Sequence, residues 1–309
     1  MSSTNLADDI KTILITGGTG LVGTHLSQLL ADKGYTVTHL SRNPTQKSYQ
    51  TFYWDIKKKA IDQEAITSAD AIIHLAGAGV SDKRWSASYK KEIYDSRIDS
   101  TRLLKEQVEK LNPNLKHFIS ASAIGYYGWD SGEALMDENA DKGPGFLADV
   151  VEDWEKEADK FTHLGVSVSK VRIGIVLSTE GGALVELMKP IKFGVGAPLG
   201  SGDQYMSWIH LNDLCGVFAH LLENKIAGTF NGVAPSPVSN KVFTKAVAKE
   251  LNKPLWLPNV PKFALRLIVG EMANILVGGN RVSSEKIGDA GYKFQFEALD
   301  KALRQLLQN

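Results

Sequence analysis

Short, mostly apolar segments alternate with longer amphipathic ones through the first half of the chain. The short segments predict strands, and most of them lack polar alternation, as strands buried on both faces do; they are residues 13–16, 35–40, 51–54, 71–75, 117–120 and 168–173. The longer segments predict helices over 24–30, 86–111 and 146–164. Strands that alternate with helices predict an α/β fold, a doubly wound parallel sheet with right-handed crossovers.

The pattern loosens after Val176. Six glycines and two prolines interrupt residues 177–210, and the elements predicted beyond them are helices at 211–224, 241–251, 262–276 and 299–308 and a strand near 228–231. We expect residues 1–176 to form the sheet core, with some contributions from later segments. Residues 177–309 are expected to form mostly a small C-terminal α/β cap over the carboxyl edge of the strands, where open α/β sheets bind ligands.

Three glycines follow the first predicted strand at a spacing that suits a dinucleotide pyrophosphate. Gly17 permits a tight turn, Gly20 lets the backbone approach phosphate oxygens, and Gly23 lets the next helix pack on the strand. The N-terminus of that helix offers amide groups and the positive end of its dipole. The sequence therefore predicts a dinucleotide site in a Rossmann-type core, with contacts from Thr16, Gly17, Thr19, Gly20, Leu21, Val22 and Gly23.

The end of the second predicted strand indicates which dinucleotide is preferred. An NAD site carries Asp or Glu there, about 20 residues beyond the glycines, to hold the ribose 2′-hydroxyl. This chain has Ser41 and Arg42 instead. A guanidinium pairs with a 2′-phosphate, whereas a carboxylate would repel it. We therefore expect NADP as the cofactor, with NADPH preferred over NADH.

Composition narrows the class of protein. A hydrophobic fraction of 43% and a charged fraction of 23% are typical of a globular protein. The 35 basic and 35 acidic side chains cancel, so neither a nucleic-acid nor a membrane partner is expected. One cysteine and seven histidines without ligand spacing predict no metal site. The polar N-terminus lacks a signal-peptide core, and we expect a cytoplasmic location.

Several motifs resemble those of the short-chain dehydrogenase/reductase superfamily, in its extended, sugar-epimerase-like branch. They are the glycine segment 16–23, His74-Leu75-Ala76-Gly77, Ser120-Ala121-Ser122 and Tyr127-Gly128. Blocks at 83–85, 95–97, 125–128, 153–155, 200–204 and 207–210 resemble an atypical subgroup named epimerase family proteins. The resemblance implies an NADP-binding Rossmann core, further cofactor contacts from Leu75, Ala76 and Gly77, and an adenine contact from Asp55 at the end of the third strand.

The chemistry of that superfamily depends on a Tyr-x-x-x-Lys pair, which this chain lacks. In relatives the lysine lowers the pKa of the tyrosine, which exchanges a proton with the substrate while the nicotinamide exchanges hydride. Phe146 and Val150 stand at the corresponding positions, when the alignment is allowed to shift by one residue. No Tyr-x-x-x-Lys occurs between residues 120 and 165.

Three interpretations of this absence stay open. In the first, Tyr126 or Tyr127, directly beyond Ser122 at the carboxyl edge of the sheet, supplies the proton. In the second, protons come from cap residues such as His210 or Lys83. In the third, the protein binds NADP without catalysis and acts as a sensor or an interaction protein.

Two polar and aromatic segments are candidates for substrate binding. The cations and indole of Lys83, Arg84 and Trp85 suit an anionic or planar ligand. The resemblance places a second segment against the substrate pocket, and its candidates are Gln204, Ser207, Trp208 and His210. Each set also has a structural interpretation: a salt-bridged loop for the first, and a hydrogen-bonded histidine near Asp213 for the second.

The sequence thus favours an NADP-binding oxidoreductase or nucleotide-sugar-epimerase-like enzyme that acts on an unidentified small molecule. Ser122, Tyr126 and Tyr127 are expected nearest the chemistry. A non-catalytic NADP-binding protein is the alternative, and both a monomer and a homodimer are compatible with the sequence. Asp153 and Glu155 are expected on the solvated face of an acidic helix.

Overall fold

The computed structural model describes residues 10–44 and 48–308. Its strands are β1 (Thr12–Thr16), β2 (Thr36–Ser41), β3 (Gln50–Asp55), β4 (Ala60–Ile61), β5 (Ala71–His74), β6 (His117–Ala123), β7 (Leu135–Met136), β8 (Ser167–Ile173), β9 (Ile175–Leu177), β10 (Tyr205–Met206), β11 (Trp208–His210), β12 (Gly228–Gly232), β13 (Val238–Ser239) and β14 (Arg281–Val282). Its α-helices are α1 (Leu21–Asp32), α2 (Gln63–Thr67), α3 (Ala87–Leu111), α4 (Phe146–Asp159), α5 (Ala183–Lys192), α6 (Leu211–Glu223), α7 (Asn240–Glu250), α8 (Lys262–Val269), α9 (Ala273–Val277), α10 (Glu285–Asp289) and α11 (Leu299–Gln308). Short 3₁₀ turns cover Ile124–Tyr127, Lys160–Leu164 and Gly270–Met272.

One large sheet organises the fold. Within the described residues it has eight strands in the order β12-β8-β6-β5-β1-β2-β3-β4. Neighbouring strands are parallel except β3 and β4, which pair antiparallel. The strand order reverses at β1, and ligands of such sheets bind outside the carboxyl ends of the strands at that point. The predicted α/β fold with a doubly wound parallel sheet is confirmed.

Successive side chains of each central strand enter two different cores. Ile13 and Ile15 of β1 pack with α1 and α6 on one face of the sheet. Leu14, between them, packs with residues of α2 and α3 on the other face. Because both faces are covered, the three central residues of β1 are all apolar, which explains the missing alternation in the sequence.

Later segments of the chain extend the sheet as well as forming the cap. β12 pairs in parallel with β8 along all of its residues. α6 packs against α1, and its apolar face buries Leu214 and Phe218 in the same core. β8, α6 and β12 therefore form one more strand–helix–strand unit, interrupted by residues 174–210. These pieces are the contributions to the sheet that were expected from later segments, and the glycine-rich insertion hides their alternation in the sequence.

The rest of the second half forms the cap around a third core. Trp208, Phe243 and Leu303 bring β11, α7 and α11 together there. The single helix predicted over 262–276 is two helices, because Gly270 breaks it with a φ of +66°. A Cβ at Gly270 would lie 2.8 Å from Nε of Arg84, so the break also lets the chain approach that side chain. The boundary between residues 176 and 177 stays a prediction.

The described ranges contain no helix that is long and apolar enough to cross a membrane. Residues 1–9, which carry most of the segment behind the signal-peptide argument, lie outside the described residues. The cytoplasmic location therefore stays a prediction.

Two histidines are buried inside the sheet as neutral side chains. Nδ1 of His74 lies 2.6 Å from Oγ1 of Thr16, and its Nε2 lies 3.0 Å from Oγ of Ser100. Nε2 of His117 lies 2.7 Å from Oγ of Ser169. Desolvation is the main cause that lowers the pKa of His74 to about 3 and the pKa of His117 to about 4.

We expect the protein to lose stability as the pH falls below 6.5, the ordinary histidine value. Both pKa values are lower in the folded chain, so the unfolded chain binds more protons between that pH and about 4. The free energy of unfolding then decreases by roughly 1 kcal/mol per pH unit for each histidine. Urea unfolding at several pH values measures this slope. The substitution His117→Gln should make it shallower, and an unchanged slope would contradict the assignment.

Candidate active site

The turn between β1 and α1 leaves no room for side chains. Gly17 has a φ of +70°, and a Cβ on it would lie 2.9 Å from the backbone nitrogen of Ala76. A Cβ on Gly23 would lie 2.2 Å from the carbonyl oxygen of Gly17. Gly20 is the N-cap of α1, and no side chain caps the helix. The first amides of a helix lack intrahelical acceptors, so this uncapped terminus suits phosphate oxygens.

The chain beyond β5 forms the second wall of this turn. The backbone N–H groups of Leu75 and Ala76 both donate to Oγ1 of Thr16, at 3.2 Å each. These bonds fix the backbone after β5 against the end of β1. The structure thus brings Thr16, the glycine turn, Leu75 and Ala76 together, as the sequence predicts for a cofactor site.

Arg97 of α3 supports the loop of residues 76–79, and the sequence analysis did not identify it. Its Nη1 donates to the carbonyl oxygen of Ala78 at 3.0 Å. A Cβ on Gly77 would lie 3.2 Å from Cζ of Arg97, so a glycine here leaves space for the guanidinium. Burial lowers the pKa of Arg97 to about 10, which leaves it charged at neutral pH. The signal in the sequence was a cation on the inner side of a long helix.

Arg42 follows β2 in a tight, exposed turn. Oγ of Ser41 donates to the carbonyl oxygen of Asn43 at 3.2 Å and accepts from its N–H at 3.1 Å. Arg42, between them, is exposed and forms no ion pair with any residue in the described part of the chain. Its guanidinium is therefore available to an external anion.

Asp55, predicted to contact adenine, uses its carboxylate in its own turn after β3. Oδ1 accepts from the N–H of Lys58 at 3.1 Å, and Oδ2 lies 3.4 Å from the hydroxyl of Tyr53. The backbone N–H of Lys58 is the main cause that lowers the pKa of Asp55. A contact between Asp55 and adenine stays a prediction.

A buried ion pair lies at the carboxyl end of β6 and β8. Nε and Nη2 of Arg172 donate to the two carboxylate oxygens of Glu155, at 2.8 and 2.9 Å. The hydroxyl of Ser122 donates to Oε1 of the same carboxylate at 2.5 Å. Arg172 is 4% exposed and Glu155 is 6% exposed. Ser122 is 3% exposed, so all three side chains of this group are buried.

The position of Glu155 corrects the sequence analysis, which placed it with Asp153 on a solvated helix face. Asp153 is half-buried and accepts from the hydroxyl of Tyr94 at 3.0 Å. Glu155 points inward and supplies the counter-charge that the buried Arg172 of β8 requires. The signal in the sequence was Arg172 within a predicted buried strand, but that strand also carries Lys170, and its sequence does not show which acid pairs with either cation.

The two candidate tyrosines have different environments. The hydroxyl of Tyr127 donates to Oδ1 of Asn231 at 2.7 Å and accepts from Nη1 of Arg172 at 3.1 Å. Desolvation raises the pKa of Tyr127 to about 12. Tyr126 is half-buried, and its ring centroid lies 3.5 Å from Cζ of Arg172. The hydroxyl of Tyr127 is thus used within the protein, whereas the ring of Tyr126 is held in place by the cation.

An apolar cluster fills the place of the missing Tyr-x-x-x-Lys pair. Phe146 packs edge to face against Trp85, with ring centroids 5.4 Å apart. Val150 is 1% exposed in the same cluster. The indole N–H of Trp85 donates to the carbonyl oxygen of Val80 at 2.8 Å. Trp85 therefore packs inside the protein, and a direct contact with a substrate has no support in this geometry.

The neighbouring cations lie on the surface. Lys83 is exposed, with Nζ 3.4 Å from Oε2 of Glu92. Arg84 is exposed and lies against Gly270 of the cap. Their proposed contact with an anionic substrate stays a prediction.

The second candidate substrate segment forms hydrogen bonds inside the cap. Nε2 of Gln204 donates to the carbonyl oxygen of Leu199 at 2.9 Å, and Oγ of Ser207 donates to that of Asn280 at 2.7 Å. Trp208 is fully buried. Sequence spacing placed these residues after a flexible loop, but their polar atoms connect that loop to the C-terminal segment.

His210 is also part of this internal structure. Its Nδ1 accepts from the N–H of Asn212 at 3.1 Å, its Nε2 lies 2.9 Å from Oε1 of Gln305, and its ring stacks on Phe296. Burial is the main cause that lowers its pKa. A proton supply from His210 therefore has no geometric support, and the structural interpretation of this histidine is the better one.

Comparisons with known proteins agree with this geometry. Residues 13–145 match the model of the NAD dependent epimerase/dehydratase family, and residues 260–306 match a domain of unknown function, DUF1731. The epimerase family protein YfhF of Bacillus subtilis (strain 168) is 35% identical over 298 residues, which cover 96% of this chain and 97% of that protein. The chain belongs to the epimerase family.

Solved structures support the same assignment. Human epimerase family protein SDR39U1 (isoform 2), crystallised with NADPH, has a TM-score of 0.87 and 32% identity over 96% of this chain and 99% of that one. A nucleoside-diphosphate sugar epimerase from Corynebacterium glutamicum has a TM-score of 0.79 and 28% identity, over 97% of this chain and 58% of that one. This epimerase family member therefore has a Rossmann-like, NAD(P)-binding fold.

We expect Arg172→Met to destabilise this epimerase family member by about 3–5 kcal/mol, because it removes the bidentate partner of the buried Glu155 carboxylate and leaves only Lys170, whose Nζ lies 3.9 Å from Oε2. The double variant Arg172→Met/Glu155→Leu should regain part of this loss, since it removes both charges. Urea unfolding monitored by circular dichroism measures both values. A double variant less stable than Arg172→Met would contradict the interpretation.

Proposed function

We propose that this protein binds NADPH and catalyses hydride transfer with a small-molecule substrate, either as a reductase or as an epimerase that oxidises and re-reduces its substrate. The observation that carries the proposal is the arrangement at one sheet edge. An uncapped glycine turn suited to pyrophosphate lies there with Ser122 and Tyr126, which adjoin a buried ion pair. The family match and the NADPH-bound human relative support it.

The residues present fit the cofactor. The close approach of Gly17 to Ala76 leaves a backbone surface that a Cβ would fill. Arg42, which is exposed and forms no ion pair within residues 10–44 and 48–308, would hold the 2′-phosphate, and Leu75 to Gly77 would border the dinucleotide. When bound, the nicotinamide supplies or accepts the hydride.

Ser122 and Tyr126 are the residues that we assign to the substrate. Because the hydroxyl proton of Ser122 is donated to Glu155, its oxygen lone pairs remain to accept a hydrogen bond from a substrate hydroxyl. Tyr126 would exchange the proton with that hydroxyl or carbonyl oxygen, and Arg172 below its ring fixes its orientation. Tyr127 would act as a positioning residue for Arg172.

A non-catalytic NADP-binding role is the second candidate. The observation that favours it is the apolar packing of Phe146 and Val150 at the family's proton-transfer positions. In that case the cap would respond to cofactor binding and present a changed surface to a partner.

Arg42→Ala should weaken NADPH binding roughly 10- to 100-fold and change NADH binding little, because only NADPH carries the 2′-phosphate. Nicotinamide fluorescence titrations measure both affinities. Lys57→Ala, which removes an exposed cation after β3, is the matched control and should change neither affinity. Equal weakening of NADPH and NADH by Arg42→Ala would contradict the 2′-phosphate assignment.

Protein loaded with NADPH should oxidise the NADPH when the fraction of cellular metabolites that contains the substrate is added. The decrease in the absorbance of the reduced nicotinamide measures this oxidation. Once a substrate is found, Tyr126→Phe should lower kcat at least ~100-fold, within the range of acid–base contributions. Tyr127→Phe should affect stability more than the pH dependence of kcat. Tight NADPH binding without oxidation by any fraction would favour an epimerase or the non-catalytic role.

A further inference from the structure

We propose that the cap carries a docking surface for an anionic lipid membrane. This surface, the α8 surface, consists of the outer face of α8 together with the exposed side chains at Phe193, Val195 and Trp256. Membrane binding by this surface is independent of cofactor binding and of the proposed hydride transfer.

The outer face of α8 is apolar although it faces away from the protein. Leu265 is 7% exposed and faces the cap, whereas Phe263, Leu267 and Ile268 are 70%, 77% and 73% exposed. A helix on the surface of a globular protein normally carries polar residues on its outer side. Three large, adjacent and solvated side chains therefore indicate a contact surface.

Two further segments continue this surface. Phe193 is 84% exposed and Trp256 is 69% exposed. The indole N–H of Trp256 donates to the carbonyl oxygen of Gly194 at 2.9 Å, and the N–H of Val260 donates to that of Pro198 at 2.8 Å. The loop after α5 thus lies along the segment that leads directly into α8.

All charged side chains of the two segments that form this surface are positive. Residues 187–200 and 251–270 contain no Asp or Glu, and their cations are Lys189, Lys192, Lys253, Lys262 and Arg266. Lys189 pairs with Glu186 just outside the first segment, at 2.6 Å. The expectation of no membrane partner rested on the formal net charge of the whole chain, which is zero, and the local excess of positive charge in these two segments modifies it.

Exposed Phe, Trp, Leu and Ile beside Lys and Arg are the combination that binds the interface of an anionic membrane. A symmetric dimer through the same face would bring two cationic surfaces together without acidic partners, which disfavours a second copy as the occupant. Single-stranded nucleic acid stacks on aromatic rings, but Leu267 and Ile268 offer it nothing comparable. Hydrocarbon accommodates both types of side chain, so the membrane fits best.

The experiment is flotation of the full-length protein with two kinds of vesicle, pure phosphatidylcholine and phosphatidylcholine mixed with phosphatidylglycerol. We expect flotation with the anionic vesicles and a decrease as salt is added. Phe263→Ser/Leu267→Ser should lower the partition coefficient at least ~10-fold, because it removes the inserted apolar groups. Lys262→Gln/Arg266→Gln should lower it on anionic vesicles. Leu135→Ser, which removes an exposed leucine elsewhere, is the matched control and should leave it unchanged.

Control measurements separate membrane binding from a loss of folding and from the proposed cofactor binding. Circular dichroism checks that each variant is folded, and NADPH affinity should be the same in all of them, whether or not a substrate is known. Failure to float with anionic vesicles, or flotation that the α8 variants leave unchanged, would overturn the proposal. A dimer in light scattering that Phe263→Ser/Leu267→Ser dissociates would assign the surface to a second copy instead.

Discussion

The buried pair of Glu155 and Arg172 determines how the carboxyl edge of the sheet is arranged. Its members come from α4 and β8, and Ser122 of β6 donates to the same carboxylate. Through the hydroxyl of Tyr127 the network continues to Asn231 of β12. Three adjacent strands and one helix thus share one pair of charges. Because a charge without its partner is costly in the protein interior, none of these elements can shift alone.

The start of α4 is apolar, in contrast to this network, and its packing bears on the proposed site of proton transfer. Phe146 and Val150 pack in an apolar cluster with Trp85. A lysine at position 150 would place an ammonium group in that cluster without a counter-charge. The familiar tyrosine and lysine pair is therefore incompatible with this packing. The hydroxyl groups beside the buried pair remain as the polar groups at this edge, which is why we assign the chemistry to Ser122 and Tyr126.

Different kinds of contact stabilise the cofactor side of the sheet and the attachment of the cap. Backbone contact builds the cofactor side: Gly17 and Gly23 are close to neighbouring backbone atoms, and no side chain caps α1. Polar side chains attach the cap: Nδ2 of Asn280 donates to the carbonyl oxygen of Gly128 at 3.0 Å, and Nζ of Lys90 lies 2.6 Å from Oε2 of Glu271. The first kind of contact gives a rigid surface for phosphate groups. The second leaves the outer face of α8 free to carry apolar residues, because the cap is fixed from its inner side.

The sequence by itself determined the features that depend on neighbours along the chain. The glycine spacing, the apolar strands and the arginine after β2 follow from local backbone and packing requirements, and they predicted the sheet and the site of the dinucleotide. The sequence could not place β12, because its partner β8 lies more than 50 residues away across an insertion. It also placed Glu155 in solvent, since only the approach of α4 to β8 shows that Arg172 needs a counter-charge. The tertiary structure decided which polar groups are buried together, because burial depends on residues that are distant in the chain and adjacent only after folding.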